Sequence, residues 1–367
     1  MPRSEQKVDS WFLGIVCALT GIGFLIFTSA SMGLLIKEGV VFGTIASKQF
    51  GAILLGAGIA YALSRTPYRI LRRYTFPFLV LAATLTLAVF IPGIGIEHSG
   101  ANRWISLFGS SFQPSELLKV AIVLYYATFL AEFKDHVHTF KLGFLPLCFL
   151  VSLTAGLLLT QPDTDSFLII FITLVSMFLV TGGRWKHLLL MLLIAVIGFS
   201  ALIFTRPYLK ERVMTFLKPA DADARGGRYQ LDQSLIAIGS GGWLGKGFGQ
   251  SVQKFSYLPE PIGDSIFAVA AEEFGFIGGV LLIALFLVFI LRGFSIGTHA
   301  PDLFGGLLAL GIVILTGAGA FINIASMLGI MPLSGLPLSF VSHGGTALLI
   351  TLGATGILLN ISRYHRN

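Results

Sequence analysis

Asp264 stands where a long polar stretch, residues 206–264, meets an apolar run beginning at 266, with Glu260 just before it and Glu272-Glu273 two turns beyond. A carboxylate at the edge of a membrane span loses hydration, which raises its pKa. A carboxyl poised in this way can take a proton from a sugar hydroxyl as a general base. Spacing alone favours the plainer role of helix N-cap, where Asp is preferred and the helix dipole favours its charge. Glu116 and Lys119 open another apolar run, after Gln113-Pro114-Ser115. Their i, i+3 spacing puts them on one helix face, where they can pair, either to orient the helix or to hold a polar cavity. Asn102-Arg103-Trp104 places a cation beside an aromatic, a membrane-interface anchor that could also contact a phosphate. Gln161-Pro162-Asp163-Thr164-Asp165 is a short turn with two carboxylates. Asp163 and Asp165 are helix caps or, less simply, oxygen ligands for a divalent cation such as Mg or Mn. The polar stretch also carries Arg206, Lys210, Arg212, Lys218, Arg225, Arg228, Lys246 and Lys254, a basic surface suited to an anionic substrate. Within it, Ser240-Gly241-Gly242-Trp243-Leu244-Gly245-Lys246-Gly247-Phe248-Gly249 could cradle an anion on its N–H groups. It lacks the phosphate-loop spacing of nucleotide sites, so a flexible interfacial turn is the simpler reading.

These residues need a membrane to position them. The chain of 367 residues is 55% hydrophobic and 12% charged, with mean hydropathy +0.85, about half the charge of a soluble domain. Spans of roughly 20 apolar residues cross the hydrocarbon as helices, since backbone groups in lipid must be satisfied within the segment. Ten runs fit, at 11–31, 47–64, 75–92, 115–131, 142–160, 166–181, 187–205, 266–291, 303–327 and 342–361. The sequence therefore predicts an all-α polytopic membrane protein with ten transmembrane helices and one long extracytoplasmic loop, 206–264, between helices 7 and 8. With ten alternating spans, Arg3, Lys7, Arg65, Arg69, Arg72, Arg73, Lys134, Lys141, Arg184, Lys186, Arg292, Arg363 and Arg366 all fall on one side. By the positive-inside rule that side is the cytoplasm, with tails 1–10 and 362–367. The first run is too long for a signal peptide and is read as an uncleaved span. The net charge of +7 lies in residues flanking spans, so no nucleic-acid partner follows from it. Cys17 and Cys148 sit inside apolar runs and read as packing residues. Many of the 43 glycines also fall in spans, where small residues let helices approach closely.

Several phrases taken together resemble the SEDS (shape, elongation, division and sporulation) family, the group of RodA and FtsW. They are Arg103-Trp104, Phe112-Gln113-Pro114-Ser115-Glu116 with Lys119, Gln161-Pro162-Asp163, Tyr229-Gln230, Ala237-Ile238-Gly239-Ser240-Gly241-Gly242, Gly245-Lys246-Gly247, Leu258-Pro259-Glu260 with Asp264, Ile266-Phe267-Ala268, Glu272-Glu273 with Gly275, and Gly335-Leu336-Pro337-Leu338 with Ser342 and Gly344-Gly345. They recur in order through nearly the whole chain, which reads as one SEDS-type membrane domain, 1–367. Glu211-Arg212-Val213, Phe216-Leu217-Lys218-Pro219, Gln250-Ser251-Val252-Gln253-Lys254 and Tyr257-Leu258-Pro259-Glu260 are more similar to FtsW than to RodA. The chain departs from the family at Ile262-Gly263 and Ser265 around the aspartate, at Ser342-His343-Gly344-Gly345-Thr346, and at Asp165, where Gly is usual.

The resemblance implies a peptidoglycan glycosyltransferase of the bacterial cytoplasmic membrane, polymerising lipid II on the outer side in division or shape maintenance. Its implied partners are a class B penicillin-binding protein and other divisome or elongasome membrane proteins. Asp264 matches the family's loop aspartate, and Glu116 and Lys119 its fourth-span pair. Arg103, Lys246, Arg212, Gln253 and Glu260 become candidates for substrate and pyrophosphate binding. Gln161, Asp163, Glu273, Ser342 and His343 join Glu116 and Lys119 as cavity-supporting candidates. An α-linked donor and a β-linked product require inversion, so a single displacement with one base and no covalent intermediate is expected. Two other classes stay open: a lipid II transporter, since charges at membrane depth serve a flippase as well, and a non-catalytic scaffold in which Asp264 is only a cap.

Overall fold

The computed structural model describes residues 7–33, 42–98, 101–107, 110–218 and 226–364. Arg3, Arg225, Arg366 and Pro219, with most of the two tails, lie outside the described residues. The chain is a multi-pass helical membrane protein. Its long helices are α1 (Ser10–Ser31), α2 (Phe42–Arg65), α3 (Tyr68–Ala88), α4 (Pro114–Glu132), α5 (Leu145–Leu158, entered through a π-helical turn Phe140–Phe144), α6 (Thr164–Val180) and α7 (Trp185–Thr205). After the polar stretch come α10 (Ile266–Thr298), α11 (Leu303–Met327) and α12 (Gly345–Ser362). Among the described residues, nine helices are long and apolar enough to cross a membrane, and α6, with 17 residues, is a tenth, shorter apolar helix.

Burial sorts these helices into a centre and a periphery. In α4, α11 and α12 about 70% of the most apolar window is buried (67, 72 and 72%), against 11% in α7. Helices surrounded by protein tolerate polar groups, and the buried Glu116, Lys119, Asn323 and Asn360 lie on those three. The two ends of the bundle differ in chemistry. At one end Asp9 pairs with Arg292 (2.8 Å) and Asp302 with Arg69 (3.0 Å), close to Arg65 and Arg363 at the adjoining helix termini. Asp264 lies at the other.

Two features differ from the sequence expectation. Between α3 and α4 the chain is not purely helical. It forms a small antiparallel sheet of β1 (Gly95–His98), β2 (Ala101–Leu107) and β3 (Ser110–Phe112), with Ile96 opposite Trp104 and Ile105 opposite Phe112. The stretch 206–264 is not an open loop either, since α8 (Pro207–Leu217) and α9 (Gly227–Ser240) occupy much of it.

The most consequential local structure is a break in α10. Gly275 has φ 69° and ψ −168°, outside the helical region, a conformation that suits a residue without Cβ. The break leaves the carbonyls of Glu272 and Glu273 without their helical donors. Lys246 and Gly247 N–H donate to them (3.0 Å each), while Phe276 and Ile277 N–H donate to the carbonyls of Gly242 (2.8 Å) and Trp243 (3.2 Å). These four backbone groups freed by the break are thus re-paired, as burial in a membrane requires. A Cβ on Gly275 would come within 2.3 Å of Gly245 N, and one on Gly245 within 2.1 Å of Glu273 O, so both glycines are needed for the approach. Of the glycine-rich turn's N–H groups, those of Lys246 and Gly247 are spent on α10 and those of Gly241, Gly242 and Gly245 on carbonyls of the turn and the end of α9, which leaves none of these five for an anion.

Candidate active site

Asp264 sits in a tight turn just ahead of α10. Gly263 and Ser265 N–H donate to the carbonyl of Glu260 (3.0 and 3.2 Å), and Glu260 adopts a left-handed φ of 46°. The turn is tied down from three directions. Asn323 Nδ2, buried in α11, donates to the carbonyls of both Asp264 (2.8 Å) and Leu336 (2.7 Å). Ser342 Oγ donates to the carbonyl of Gly263 (2.7 Å) and accepts from Leu338 N–H (2.8 Å). Gln230 Nε2 on α9 donates to Ser265 Oγ (3.2 Å). The connection between α11 and α12, residues 328–344, is thus sewn to the Asp264 turn.

Around the Asp264 side chain the structure gathers charge. A Cβ placed on Gly335 would lie 3.4 Å from Arg212 Nη2, 3.5 Å from Asp165 Oδ2 and 3.7 Å from Asp264 Oδ2, so three side chains from distant segments converge on one point. Arg212 Nη1 donates to Asp165 Oδ2 (2.8 Å), which also accepts from Gly335 N–H (2.8 Å). Arg103 donates to the carbonyls of Gln161 (3.1 Å) and Pro162, which points its guanidinium toward the same region. Burial pushes the Asp264 carboxyl up to about 7; Glu260 and Asp165 add to the rise, and Arg212 and Arg103 oppose it. The two arginines make their closest bonds elsewhere. Asp264 is left as a carboxyl near neutrality beside two cations, suited to take a proton and to face a developing negative charge.

The other predicted residues divide cleanly. Glu116 and Lys119 form the expected pair at 2.6 Å, both side chains buried. They line a cavity of about 40 Å³ together with Leu336, Ser339 and Ser342, so the segment sewn to Asp264 forms one wall; it has room for about one water. Gln161 Nε2 donates to the Thr86 carbonyl (2.6 Å), and Asp163 caps α6 by accepting from Ser166 N–H (3.3 Å). His343 stacks on Phe27 and its backbone N–H donates to the Ile262 carbonyl (2.7 Å). As for a divalent cation, Asp163 is a cap and Asp165 is engaged by Arg212. Among the described residues no group of three or more His, Cys, Asp or Glu is placed to hold a metal.

Two expectations need correction. Lys246 does not join the Asp264 group; its ammonium pairs with the fully buried Glu272 (2.6 Å). Gln253 N–H donates to the same carboxylate (3.3 Å). Glu273 belongs to this second cluster. Lys254 Nζ meets Glu273 Oε1 (2.7 Å), Ser29 Oγ (2.9 Å) and the Gly249 carbonyl (2.9 Å) with no exposure of either ion. The reason is physical: a carboxylate under protein cover demands a cation, and the nearest lysines are consumed by that demand. Asn323 was missed. A lone amide inside an apolar run signals only that its helix is covered by protein.

The fold and the site together define a class, an integral membrane protein with a titratable carboxyl beside guanidinium groups at one end of its bundle. The comparisons give the family. The profile of the cell cycle protein family FtsW/RodA/SpoVE matches residues 10–367. The chain is 38% identical over 363 residues to the probable peptidoglycan glycosyltransferase FtsW of Geobacter sulfurreducens, covering 98% of this chain and 96% of the relative. It is 39% identical over 317 residues to stage V sporulation protein E of Bacillus subtilis, covering 85% and 86%. Among solved structures it resembles a chain of a peptidoglycan synthase complex that coordinates polymerization and crosslinking (TM-score 0.80, 26% identity, 97% and 98% covered). It also resembles the rod shape determining protein RodA of Thermus thermophilus (TM-score 0.71, 26% identity, 98% of each covered). The chain belongs to the FtsW/RodA/SpoVE family.

Proposed function

We propose that this protein is a peptidoglycan glycosyltransferase that polymerises lipid II and releases polyprenyl pyrophosphate, in division or cell-shape maintenance. Relatives matched over nearly the full chain and named probable peptidoglycan glycosyltransferase support the reaction class. The observation that carries the assignment to residues is the Asp264 carboxyl, raised to about 7 by burial and neighbouring carboxylates while two arginines stand beside it.

In this reading Asp264 accepts the proton of the acceptor sugar's 4-hydroxyl as that oxygen attacks the donor's anomeric carbon. The bond to pyrophosphate breaks in the same displacement, with inversion. Arg103 and Arg212 stabilise the charge growing on the leaving group, a contribution that exists mainly in the transition state. Asp165 holds Arg212 until the pyrophosphate competes for it. Asn323 and Ser342 fix the turn on which Asp264 rides. Full-chain identity to FtsW-named relatives favours a septal role, working with a crosslinking penicillin-binding protein in the bacterial cytoplasmic membrane. The basic end of the bundle, with both termini, then faces the cytoplasm, and Asp264 faces outward.

The test is gel-resolved polymerisation of purified lipid II by wild type and Asp264→Asn, each with the matched penicillin-binding protein. Removing a general base costs about 10²–10⁴-fold, so a folded mutant should make almost no strands. Equal polymer from both would return Asp264 to a helix cap, and transbilayer movement of lipid II without polymer would favour a transporter. The wild-type rate should also rise with pH through about 7, because the base must be ionised to act.

A further inference from the structure

A groove of about 860 Å³ runs between α1, α2 and α12. Its floor is apolar, with Leu13, Val16, Phe24, Ile53, Ala57 and Leu359 among the lining residues. Its mouth is at the basic end of the bundle, where Lys7 just before α1, Arg65 at the end of α2 and Arg363 just after α12 line it. Asp9, the carboxylate beside this corner, is spent on Arg292 (2.8 Å) and on capping α1. Among the described residues neither Lys7 nor Arg65 forms an ion pair. Tyr61, itself lining the groove, carries the Arg65 guanidinium over its ring (5.3 Å), an aromatic at headgroup depth.

We propose that this groove binds one anionic diacyl phospholipid, its acyl chains along the apolar floor and its phosphate among Lys7, Arg65 and Arg363. Charge and shape select the occupant together. An apolar trough of this size does not distinguish lipids, but three cations from three elements at one mouth favour an anionic headgroup over a zwitterionic one. The mouth lies at the opposite end of the bundle from Asp264, so the pyrophosphate released there cannot reach these cations while its chain lies in the same leaflet as the site. That separates the groove's basic end from the released pyrophosphate and favours a lipid whose headgroup lies in the other leaflet.

The test reads lipid retained by the purified full-length chain, by mass spectrometry after exchange in nanodiscs of phosphatidylglycerol mixed with phosphatidylcholine. Phosphatidylglycerol should be retained over phosphatidylcholine. Lys7→Gln and Arg65→Gln should each cut that retention about fivefold, the weight of one cation near an anionic surface. Gly21→Leu fills the trough from a position where a Cβ meets nothing within 4 Å, and should release the lipid while leaving the melting temperature in place. Retention indifferent to headgroup charge, or unmoved by all three substitutions, would overturn the proposal. So would displacement of phosphatidylglycerol by polyprenyl phosphate, which would make the groove a carrier site, or by inorganic phosphate alone, which would make the mouth a simple anion site.

Discussion

Asp264 and the Glu272-Glu273 pair are carboxylates on one stretch of chain, within about two turns of each other, and their surroundings treat them in opposite ways. Glu272 is met by Lys246 (2.6 Å), Ser251 Oγ (2.5 Å) and two backbone N–H groups, and Glu273 by Lys254 (2.7 Å) and Ser29 Oγ (2.5 Å). Asp264 has arginines nearby whose closest bonds go to Asp165 and to carbonyls. The same residue chemistry thus yields a rivet in one place and a reactive group in the other. What separates them is where the cations are committed, and a carboxyl kept from full compensation by its neighbours is the one able to exchange a proton.

The sharpest way to break this contrast is to unpair a rivet. Lys254→Met removes the ammonium from a fully buried pair, leaving Glu273 uncompensated at a cost of about 3–5 kcal/mol. The expected result is a large fall in melting temperature, with Lys254→Met/Glu273→Leu recovering most of it because the stranded charge is gone. If the single variant melts like wild type, the second cluster is not structural and its lysines return as candidates for the substrate.

A second test addresses the joint that holds this cluster in place. Gly275→Ala puts a side chain at a positive φ and drives its Cβ toward Gly245 N, which is backbone and cannot swing aside. Strained backbone of this kind costs about 1–3 kcal/mol. The expected outcome is a lower melting temperature with little change in the pH profile of polymerisation, since Asp264 and its arginines lie on the other side of the break.

These joints also mark how far the sequence could be read. Apolar runs reported the helices, because in lipid a run of apolar residues has only one backbone solution. Pro114 and the i, i+3 spacing of Glu116 and Lys119 reported a helix start and a pair, and both are present. Asp264 could be singled out because it ends the polar stretch. The partners of the basic residues could not be read, since Lys246 and Glu272 are 26 positions apart and nothing local records their meeting. The break at Gly275 was hidden in a run that looks continuously helical. Asn323 meets the Asp264 carbonyl across 59 positions, a relation that only the folded bundle creates.

The contrast has a thermodynamic signature at lower amplitude. A carboxyl whose folded pKa is raised to about 7 from an unfolded value near 3.9 binds more protons when folded. It therefore weakens the fold progressively as pH rises from about 4 through 7. Asp264→Asn should accordingly raise the melting temperature most at pH 8 and, in free energy, by only about a third as much at pH 5, while activity is lost at both. Glu272→Gln should lower it at both, because Lys246 loses its charge partner. A stabilising Asp264→Asn with no pH dependence would mean that the carboxyl is not held near neutrality.

The smallest effect probes the site's own tuning. Asp165 raises the Asp264 pKa by like-charge repulsion and also occupies Arg212, which opposes that rise. Asp165→Asn removes the repulsion and loosens the hold on Arg212, and both changes favour the ionised form of Asp264. The acid limb of the polymerisation profile should then move to lower pH. Since a base of pKa about 7 is only about one-tenth ionised at pH 6, the relative rate there can rise by no more than about tenfold. The rate at pH 8 is the control for leaving-group chemistry. If it falls while the limb moves, Asp165 is needed to present Arg212 to the pyrophosphate; if it holds, Arg212 finds its place without that carboxylate. An acid limb that stays where it was would show that Asp165 does not tune Asp264, and its approach to Asp264 beside Gly335 would then be packing rather than electrostatics.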